Sequence, residues 1–424
     1  MDSLETAMRL ASVRRRGAGT DAERRVATWL RDELRARGRE AALETVWVRP
    51  DWPLVHLLHS ALATGAGILS VWEPAIGLGV LGAVAVSMAA DLTGRLHLLR
   101  LVTPRRATQN VISPPRRRVP GGVRLTVVAC TDAGRTGSIY GRWAVLEARL
   151  RQLLRGHLPS PLGLLVLATL ALCGIAYARL QGDGGQLVGV LQFVPTVALM
   201  VGFAALVDIA LSDVSPGANV YASTVGVALA LVDELDRSRL RRLEVELVLA
   251  GAGEGPAAGM RAFVRSRRRR RAEEVAVLAI EPCGGGTPRW LTRDGQLLPL
   301  RYHPRLRELC AEAAASEPDL RARPYASHGA AAAFPARLVH WPAIAIGCRD
   351  DQDRVPNAHE PTDVGERLDA AAMQAALDLC LAVVGRLDED LERRLGGAPG
   401  QRGSGAREAR KTGEALSEAE EAVK

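Results

Sequence analysis

Several residues that could bind a metal ion or transfer protons follow separate apolar runs of the sequence. Cys130 and Asp132 come directly after VRLTVVA, and Glu254 comes shortly after VELVLA. Glu281 follows VAVLAI, and His359 lies in a long loop after AIAIG. A thiol, three carboxylates and an imidazole are a set of ligands that suits zinc. The same residue types are also ordinary helix caps and loop residues, and that alternative stays open.

These side chains converge only if the apolar runs are neighbouring strands. The runs are rich in β-branched residues, and the amphipathic segments between them predict helices. Loops at the carboxyl ends of parallel strands meet at one sheet edge. The alternation predicts an α/β fold with a mostly parallel sheet covered by helices on both faces. Predicted strands are 42–48, 123–129, 244–250, 275–280 and 343–347, and predicted helices are 20–37, 139–154, 222–235, 256–266, 304–315 and 369–387.

Four further runs are long, apolar and almost free of charge: residues 53–72, 74–90, 161–178 and 187–207. At 1.5 Å per residue each extends about 26–31 Å, close to the thickness of a bilayer core. They predict four transmembrane helices in two hairpins, 53–90 and 161–207. The alternative is a set of buried helices in a large soluble domain.

The charges around the hairpins predict an orientation. Residues 91–160 contain 13 arginines, whereas the link at 179–186 contains only Arg179. By the positive-inside rule, the soluble part and both termini are predicted to be cytoplasmic in a multi-pass plasma-membrane protein. The net charge of +8 is explained in this way, and no nucleic-acid partner is expected.

Composition defines the remaining organisation. Apolar residues make up 48% of the 424 residues, enough for a substantial core. The six cysteines include no CxxC pair, which argues against a disulfide scaffold or a zinc ribbon. A discontinuous soluble domain is predicted at 1–52, 91–160 and 208–395, followed by a Gly-, Ala- and charge-rich tail at 396–424 that is expected to be disordered.

The order of the segments is similar to one enzyme family. RRGAGT at 15–20 precedes the first predicted helix, and NVI at 110–112 precedes the strand at 123–129. With the loops described above, these segments resemble the cocatalytic zinc exopeptidases of the aminopeptidase Y and bacterial leucyl aminopeptidase type. The resemblance runs to Leu368, with the hairpins as insertions. It implies a three-layer α-β-α metallo-exopeptidase-like domain with a mixed, mostly parallel sheet, hydrolase activity and two zinc ions.

The resemblance also places the family's zinc ligands on this chain. Its His-x-Asp pair falls on Cys130 and Asp132, and the second Glu of its Glu-Glu pair falls on Glu254. Its later Asp falls on Glu281, and its final His falls on His359. Cys130 and Glu281 are chemically acceptable substitutes as zinc ligands.

Two positions depart from the family's pattern. The Asp that bridges the two zinc ions falls on Val220, and the general-base Glu falls on Gly253. Loss of a general base typically lowers a rate by about 10²–10⁴-fold. The resemblance therefore implies no catalytic residue at the base position and no two-zinc site. One remnant zinc on Cys130, Glu254, Glu281 and His359 is the cofactor hypothesis, with Asp132, Asn219, Val220 and His328 lining the site.

The favoured hypothesis is a membrane pseudoenzyme, in which a peptidase-like domain has a binding or regulatory role. Its expected partners are membrane lipid and an unknown protein or peptide ligand. The alternative is an active metallo-aminopeptidase or amidohydrolase with a rebuilt mononuclear zinc site, in which Glu254 is ligand or base and His328 polarises a carbonyl. Transport requires polar groups within the membrane. The sequence offers only His56 and His59, near a predicted edge.

Overall fold

The computed structural model describes residues 2–396, except 142–143, 146–147, 150–152, 154–158 and 256. Half of the predicted helix at 139–154, and almost all of the predicted tail, lie outside these residues. Nine strands are present in the described residues: Ala42–Val48 (β1), Arg106–Ser113 (β2), Val123–Cys130 (β3), Leu243–Ala250 (β4), Val275–Ile280 (β5), Thr287–Asp294 (β6), Leu300–Arg301 (β7), Arg323–Ala326 (β8) and Ala343–Arg349 (β9).

The strands form one mixed sheet in the order β1-β2-β4-β3-β5-β9-β6-β7, with β8 paired to β6. Strands β4, β3, β5 and β9 run parallel to one another. Strands β1 and β2 on one side and β6 on the other pair antiparallel. The sheet is therefore mixed, as expected, with parallel strands at its centre, and β6 and β8 also pair parallel. Strand β6 escaped prediction because TPRWLTRD contains a proline and three charged residues, although most of it is buried.

Helices pack on this sheet and on each other. The α-helices whose bounds the structure describes are Ser3–Ala11 (α1), Asp21–Ala36 (α2), Trp52–Leu69 (α3), Pro74–Leu92 (α4), Pro161–Leu180 (α5), Gln186–Leu211 (α6), Ser223–Arg237 (α7), Ala258–Ser266 (α8), Pro304–Ser316 (α9), Phe334–Leu338 (α10) and Ala370–Gly396 (α11). Helix α7 contacts β3, β4 and β5, and α1 and α11 pack on α7. Helix α8 packs instead against β1, β2 and β4. The result is an α/β fold with one large apolar core.

The start of α2 fastens the amino-terminal segment to the sheet edge. The Thr20 hydroxyl accepts the Glu23 N–H at 3.3 Å, as an N-cap does. The Glu23 carboxylate accepts the Gly19 N–H at 2.7 Å and, across the fold, the Ala252 N–H at 2.8 Å. One buried carboxylate thus holds both the helix start and the loop after β4.

Helices α3 to α6 form a separate bundle with its own apolar cluster. Its outer surface is also apolar: Leu187, Phe193 and Val194 on α6 are 70%, 68% and 69% exposed. Within the described residues, six helical segments are long and apolar enough to cross a membrane. Four of them are α3 to α6; the others are Ala218–Arg237, which is largely buried in the sheet core, and Ala370–Arg394.

Candidate functional site

The loops after β3 and β4 are joined by Asp132. Its Oδ1 accepts the Gly253 N–H at 2.7 Å, and its Oδ2 accepts the Glu254 N–H at 3.1 Å. Both carboxylate oxygens therefore shape the neighbouring loop. Asp132 is fully buried, so it supports the loop after β4 and does not itself line the site.

Glu254 and His359 meet at the backbone of Arg135. The Arg135 N–H donates to Glu254 Oε1 at 3.3 Å, and His359 Nδ1 lies 3.2 Å from the Arg135 carbonyl oxygen. A carbonyl only accepts, so Nδ1 carries the proton and Nε2 is the acceptor of the neutral ring. A Cβ on Gly134 would lie 2.7 Å from His359 Nδ1 and 3.0 Å from Glu254 Cδ, so only glycine fits between the two side chains.

The His359 ring is fixed on its other side by Tyr140. The two rings stack with centroids 4.5 Å apart. The backbone of His359 is left-handed, with φ 58°, a conformation that costs a residue other than glycine about 1–2 kcal/mol. The stacking and the contact with Arg135 offset this cost and hold the imidazole beside Glu254.

Cys130 and Gly253 leave no room for a general base. A Cβ on Gly253 would collide with the Cys130 sulfur and would lie 2.9 Å from Asp132 Oδ1. Burial raises the pKa of the Cys130 thiol well above its ordinary value, and the charges of Asp132 and Glu281 raise it further. The thiol is therefore protonated at neutral pH.

Asn219 and Val220 begin α7 through a π-helical turn, Ala218–Ala222. Their N–H groups donate to Asp363 at 2.6 and 3.3 Å. The Asn219 side chain accepts the Gly284 N–H at 2.7 Å and donates to the Pro356 carbonyl at 2.9 Å. Asn219 thus holds loops together, while Val220 presents an apolar side chain to the site.

Buried charge is the main electrostatic feature of the site. Burial, and then the Asp132 carboxyl, raise the pKa of Glu254 to about 8. Burial also raises the pKa of Glu281, whose Oε1 accepts the Ala332 N–H at 3.1 Å. The charge of Arg135 partly offsets the effect on Glu254, and that of Arg349 the effect on Glu281. Arg16 is fully buried, faces Asp132 and donates to the Thr131 carbonyl at 2.7 Å. Burial lowers the pKa of Arg16 to about 10, which leaves it charged at neutral pH.

The candidate ligands do not fit a metal ion. In the part of the chain that the structure describes, no three His, Cys, Asp or Glu side chains are grouped to hold one. Glu281 turns its Oε1 to the Ala332 N–H. The expected remnant zinc site on Cys130, Glu254, Glu281 and His359 therefore lacks a suitable donor set, and no reaction step through a metal is derived.

The same four residues nevertheless line one cavity of about 480 Å³, here called the shared cavity. Val220 and His328 line it as well, whereas Asp132 and Asn219 do not. Its other wall comes from the bundle: Leu162 and Leu165 on α5, and Ala205, Leu206 and Ile209 on α6.

Trp52, at the start of α3, joins the two halves of the cavity. Its indole Nε1–H donates to Glu254 Oε1 at 3.3 Å. Sequence reasoning missed Trp52, Tyr140 and Arg16 as parts of the site. Only Arg16 gave a signal, as part of the RRGAGT segment.

Neither a family model nor a curated protein matches this sequence. Solved structures match its fold. Glutaminyl cyclase from Bacteroides thetaiotaomicron bound to N-acetylhistamine is 12% identical with a TM-score of 0.52, over 90% of this chain and 96% of that one. A leucine aminopeptidase precursor from the same organism is 12% identical with a TM-score of 0.51, over 90% and 95%. LapA from Legionella pneumophila is 11% identical with a TM-score of 0.51, over 91% and 72%.

These identities establish the fold alone. The chain has the α/β architecture of bacterial aminopeptidases and glutaminyl cyclases, with the apolar bundle attached at its site. Fold does not determine function, so the activity must be argued from the residues of the site.

Proposed function

We propose that this protein is a membrane-embedded binding protein, in which a peptidase- or cyclase-like domain holds the polar end of an amphipathic ligand. The observation that carries the proposal is the shared cavity, which has one wall from the candidate site and one from the bundle. Cys130, Val220 and Gly253 replace family residues needed for metal-dependent hydrolysis. A binding or regulatory role follows.

The chemistry of the two walls supports an amphipathic ligand. Glu254, Glu281, His328 and His359 offer hydrogen bonds at one end. Leucine, alanine and isoleucine side chains of α5 and α6 offer apolar contact at the other. Binding sites of this kind combine mostly apolar walls with a few polar groups that fix orientation. A membrane lipid or lipid-like molecule with an uncharged polar head matches both ends.

The bundle supports placement of the ligand in a bilayer. Helices α3 to α6 are long enough to span a hydrocarbon core, and their outer surface is apolar. We place the α/β domain and both termini in the cytoplasm of a plasma-membrane protein because the arginines concentrate on that side. The shared cavity then lies where the bundle meets the cytoplasmic domain.

The alternative is an active aminopeptidase or amidohydrolase with one zinc ion. The absence of a metal-binding group among the described residues disfavours it. Elemental analysis of the purified protein separates the two proposals. We expect no stoichiometric zinc, whereas about one equivalent would favour the hydrolase.

Ligand binding is tested with a pyrene-labelled monoacylglycerol added to the detergent-purified full chain. Ala205 lines the shared cavity, whereas its neighbour Ala204 is exposed on the outer surface. Ala205→Trp should abolish the saturable change in pyrene fluorescence, and the matched control Ala204→Trp should leave it intact. Equal binding to both variants, or none to the wild type, would contradict the proposal.

A further inference from the structure

Helix α3 has a polar face buried inside the apolar bundle. His56, His59, Ser60 and Thr64 lie at helical spacing, and this set is called the polar face of α3. His56 and His59 are each 1% exposed and Ser60 is fully buried. From His56 to Thr64 the face extends about 12 Å along the helix.

Each member of this face has a polar atom without a protein partner. Among the described residues, Nδ1 of His56, Nδ1 of His59, Oγ of Ser60 and Oγ1 of Thr64 are buried and make no hydrogen bond. Oε1 of Gln192 on α6 is also buried without a hydrogen bond, whereas its Nε2 donates to the Gly67 carbonyl at 2.8 Å. Buried polar atoms are nearly always paired, and a bilayer core offers no partners. Water is the partner that fits polar atoms spaced in this way.

The inner end of the face reaches the shared cavity. His56 Nε2 lies 3.3 Å from Asp91 Oδ2, and both residues line the cavity. Asp91 also contacts His97 Nδ1 at 2.7 Å and Arg100 Nε at 2.7 Å. The Asp91 carboxylate on α4 thus contacts His56, the first histidine of the face, directly, and Arg100 holds it in place.

The middle and outer parts continue the same path. The rings of His56 and His59 stack with centroids 5.5 Å apart, and His59 Nε2 lies 2.9 Å from the Ser87 hydroxyl. Gln192 and Gly67 lie near the far ends of α6 and α3. Arg179 is the charged group at that end, and its guanidinium contacts the Ser70 hydroxyl at 3.3 Å. Polar groups therefore extend along most of the length of the bundle.

We infer that the polar face of α3 carries a chain of water molecules that passes protons between the far side of the membrane and the shared cavity. At each step, a water, hydroxyl or imidazole accepts a proton on one side and releases one on the other. The transmembrane proton gradient drives the net movement. This inference rests on the proposed membrane placement, but not on the amphipathic ligand.

The test uses the full chain in proteoliposomes that contain the pH-sensitive dye pyranine. A potassium gradient with valinomycin sets the membrane potential, and protein-free liposomes give the background. Wild type should show proton flux above that background, and His59→Leu should reduce it to the background. The control Thr169→Val should keep the flux, because the buried Thr169 hydroxyl already donates to the Leu165 carbonyl at 2.8 Å. Background-level flux in wild type, or unchanged flux in His59→Leu, would overturn the inference.

A second measurement does not depend on whether the His59 variant folds. Ser60→Cys should react with a small methanethiosulfonate added from outside, since the reagent needs a hydrated path. Ala63→Cys is the matched control, because Ala63 is buried in the apolar cluster and should stay unreactive. Equal labelling at both positions would overturn the hydrated path. Release of the chain from membranes by alkaline carbonate would overturn the proposed membrane placement. This measurement therefore distinguishes a wrong membrane placement from a correct placement without a hydrated path.

Discussion

Gly253 is the residue of the site at which a larger side chain is most clearly excluded. It follows β4 and touches the Cys130 side chain so closely that no Cβ fits. Gly253→Ala should therefore destabilise the protein by about 1–3 kcal/mol, the usual cost of overpacking. Thermal unfolding in detergent measures the change.

Gly385 provides the matched control, because a Cβ there would meet nothing within 4 Å. Gly385→Ala on α11 should be neutral or stabilising. Gly253→Glu should give no cleavage of aminoacyl reporter substrates, since Val220 still lacks a ligand atom. Robust cleavage by that single variant would show that the missing bridge does not prevent catalysis.

Asp294 predicts how stability depends on pH. It is fully buried and accepts the Tyr302 hydroxyl at 2.8 Å. Burial raises its pKa from 3.8 to about 7, so folding takes up a proton between these values. The contribution of Asp294 to stability is therefore largest below about pH 4 and falls as the pH rises to about 7, by roughly 2–4 kcal/mol.

Asp294→Asn should remove this part of the pH dependence, since the amide carries no charge and can still accept a hydrogen bond. The unfolding temperatures of wild type and variant should differ at neutral pH and become similar in acid. Asp319→Asn is the control, because Asp319 is exposed. A wild-type slope that persists in Asp294→Asn would assign the dependence to other groups.

At the scale of elements, Arg16 connects parts of the chain that are distant in sequence. It donates to the Leu10 carbonyl at the end of α1 and to the Thr131 carbonyl after β3. Its charge also faces Asp132 and Asp363, the carboxylates that shape the loop after β4 and the start of α7. Arg16→Met should destabilise the fold by about 3–5 kcal/mol, because it leaves buried charge and carbonyls without a partner.

Arg14→Met is the comparison for Arg16→Met. Arg14 is exposed two residues earlier and should change stability little. Chemical denaturation of the two variants under the same conditions measures the difference. Similar losses in both would mean that the buried guanidinium is not the source of the effect.

The sequence predicted elements with strong local patterns. Strand β5 has the predicted bounds, and β3 and β4 are each extended by one residue, because all three are dense in buried aliphatic side chains. Helix α1 was missed because it has only nine residues, and Leu10 is the one large apolar side chain on its buried face. The π-helical turn was missed because Asp363, far along the chain, determines it.

The sequence likewise predicted some features of the candidate site and not others. The positions of Cys130, Glu254, Glu281 and His359 around one cavity follow from the order of strands and loops. The contact between Trp52 and Glu254 joins residues 202 positions apart and has no local signal. Metal binding also depends on the orientation of each carboxylate. Hydrogen bonds from backbone N–H groups set the orientations of Asp132 and Glu281.

At the scale of the whole molecule, the bundle is fastened to the α/β domain on several sides of the shared cavity. The Ser160 hydroxyl at the start of α5 donates to the Gln296 carbonyl at 2.6 Å. Arg261 on α8 contacts the Gly94 carbonyl just after α4, and Trp52 contacts Glu254. A ligand between these attachments would contact both parts at once. Binding there would couple the arrangement of the apolar helices to the loops of the site.

The orientation of the whole chain gives the last prediction. Four spans return the chain to the side from which it started, so both termini and the loop near Gly121 should share one side, opposite the link at 179–186. The arginine distribution predicts that the shared side is cytoplasmic. Reporter fusions after Lys424 and after Gly121 should give cytoplasmic signals, and a fusion within 179–186 should give the opposite signal. The Gly121 fusion serves as the control, because that residue is exposed in a loop that precedes β3. If the fusion within 179–186 reported the same side as Lys424, α5 and α6 would not be a membrane-spanning hairpin, and the proposed proton path along α3 would lose the membrane it needs.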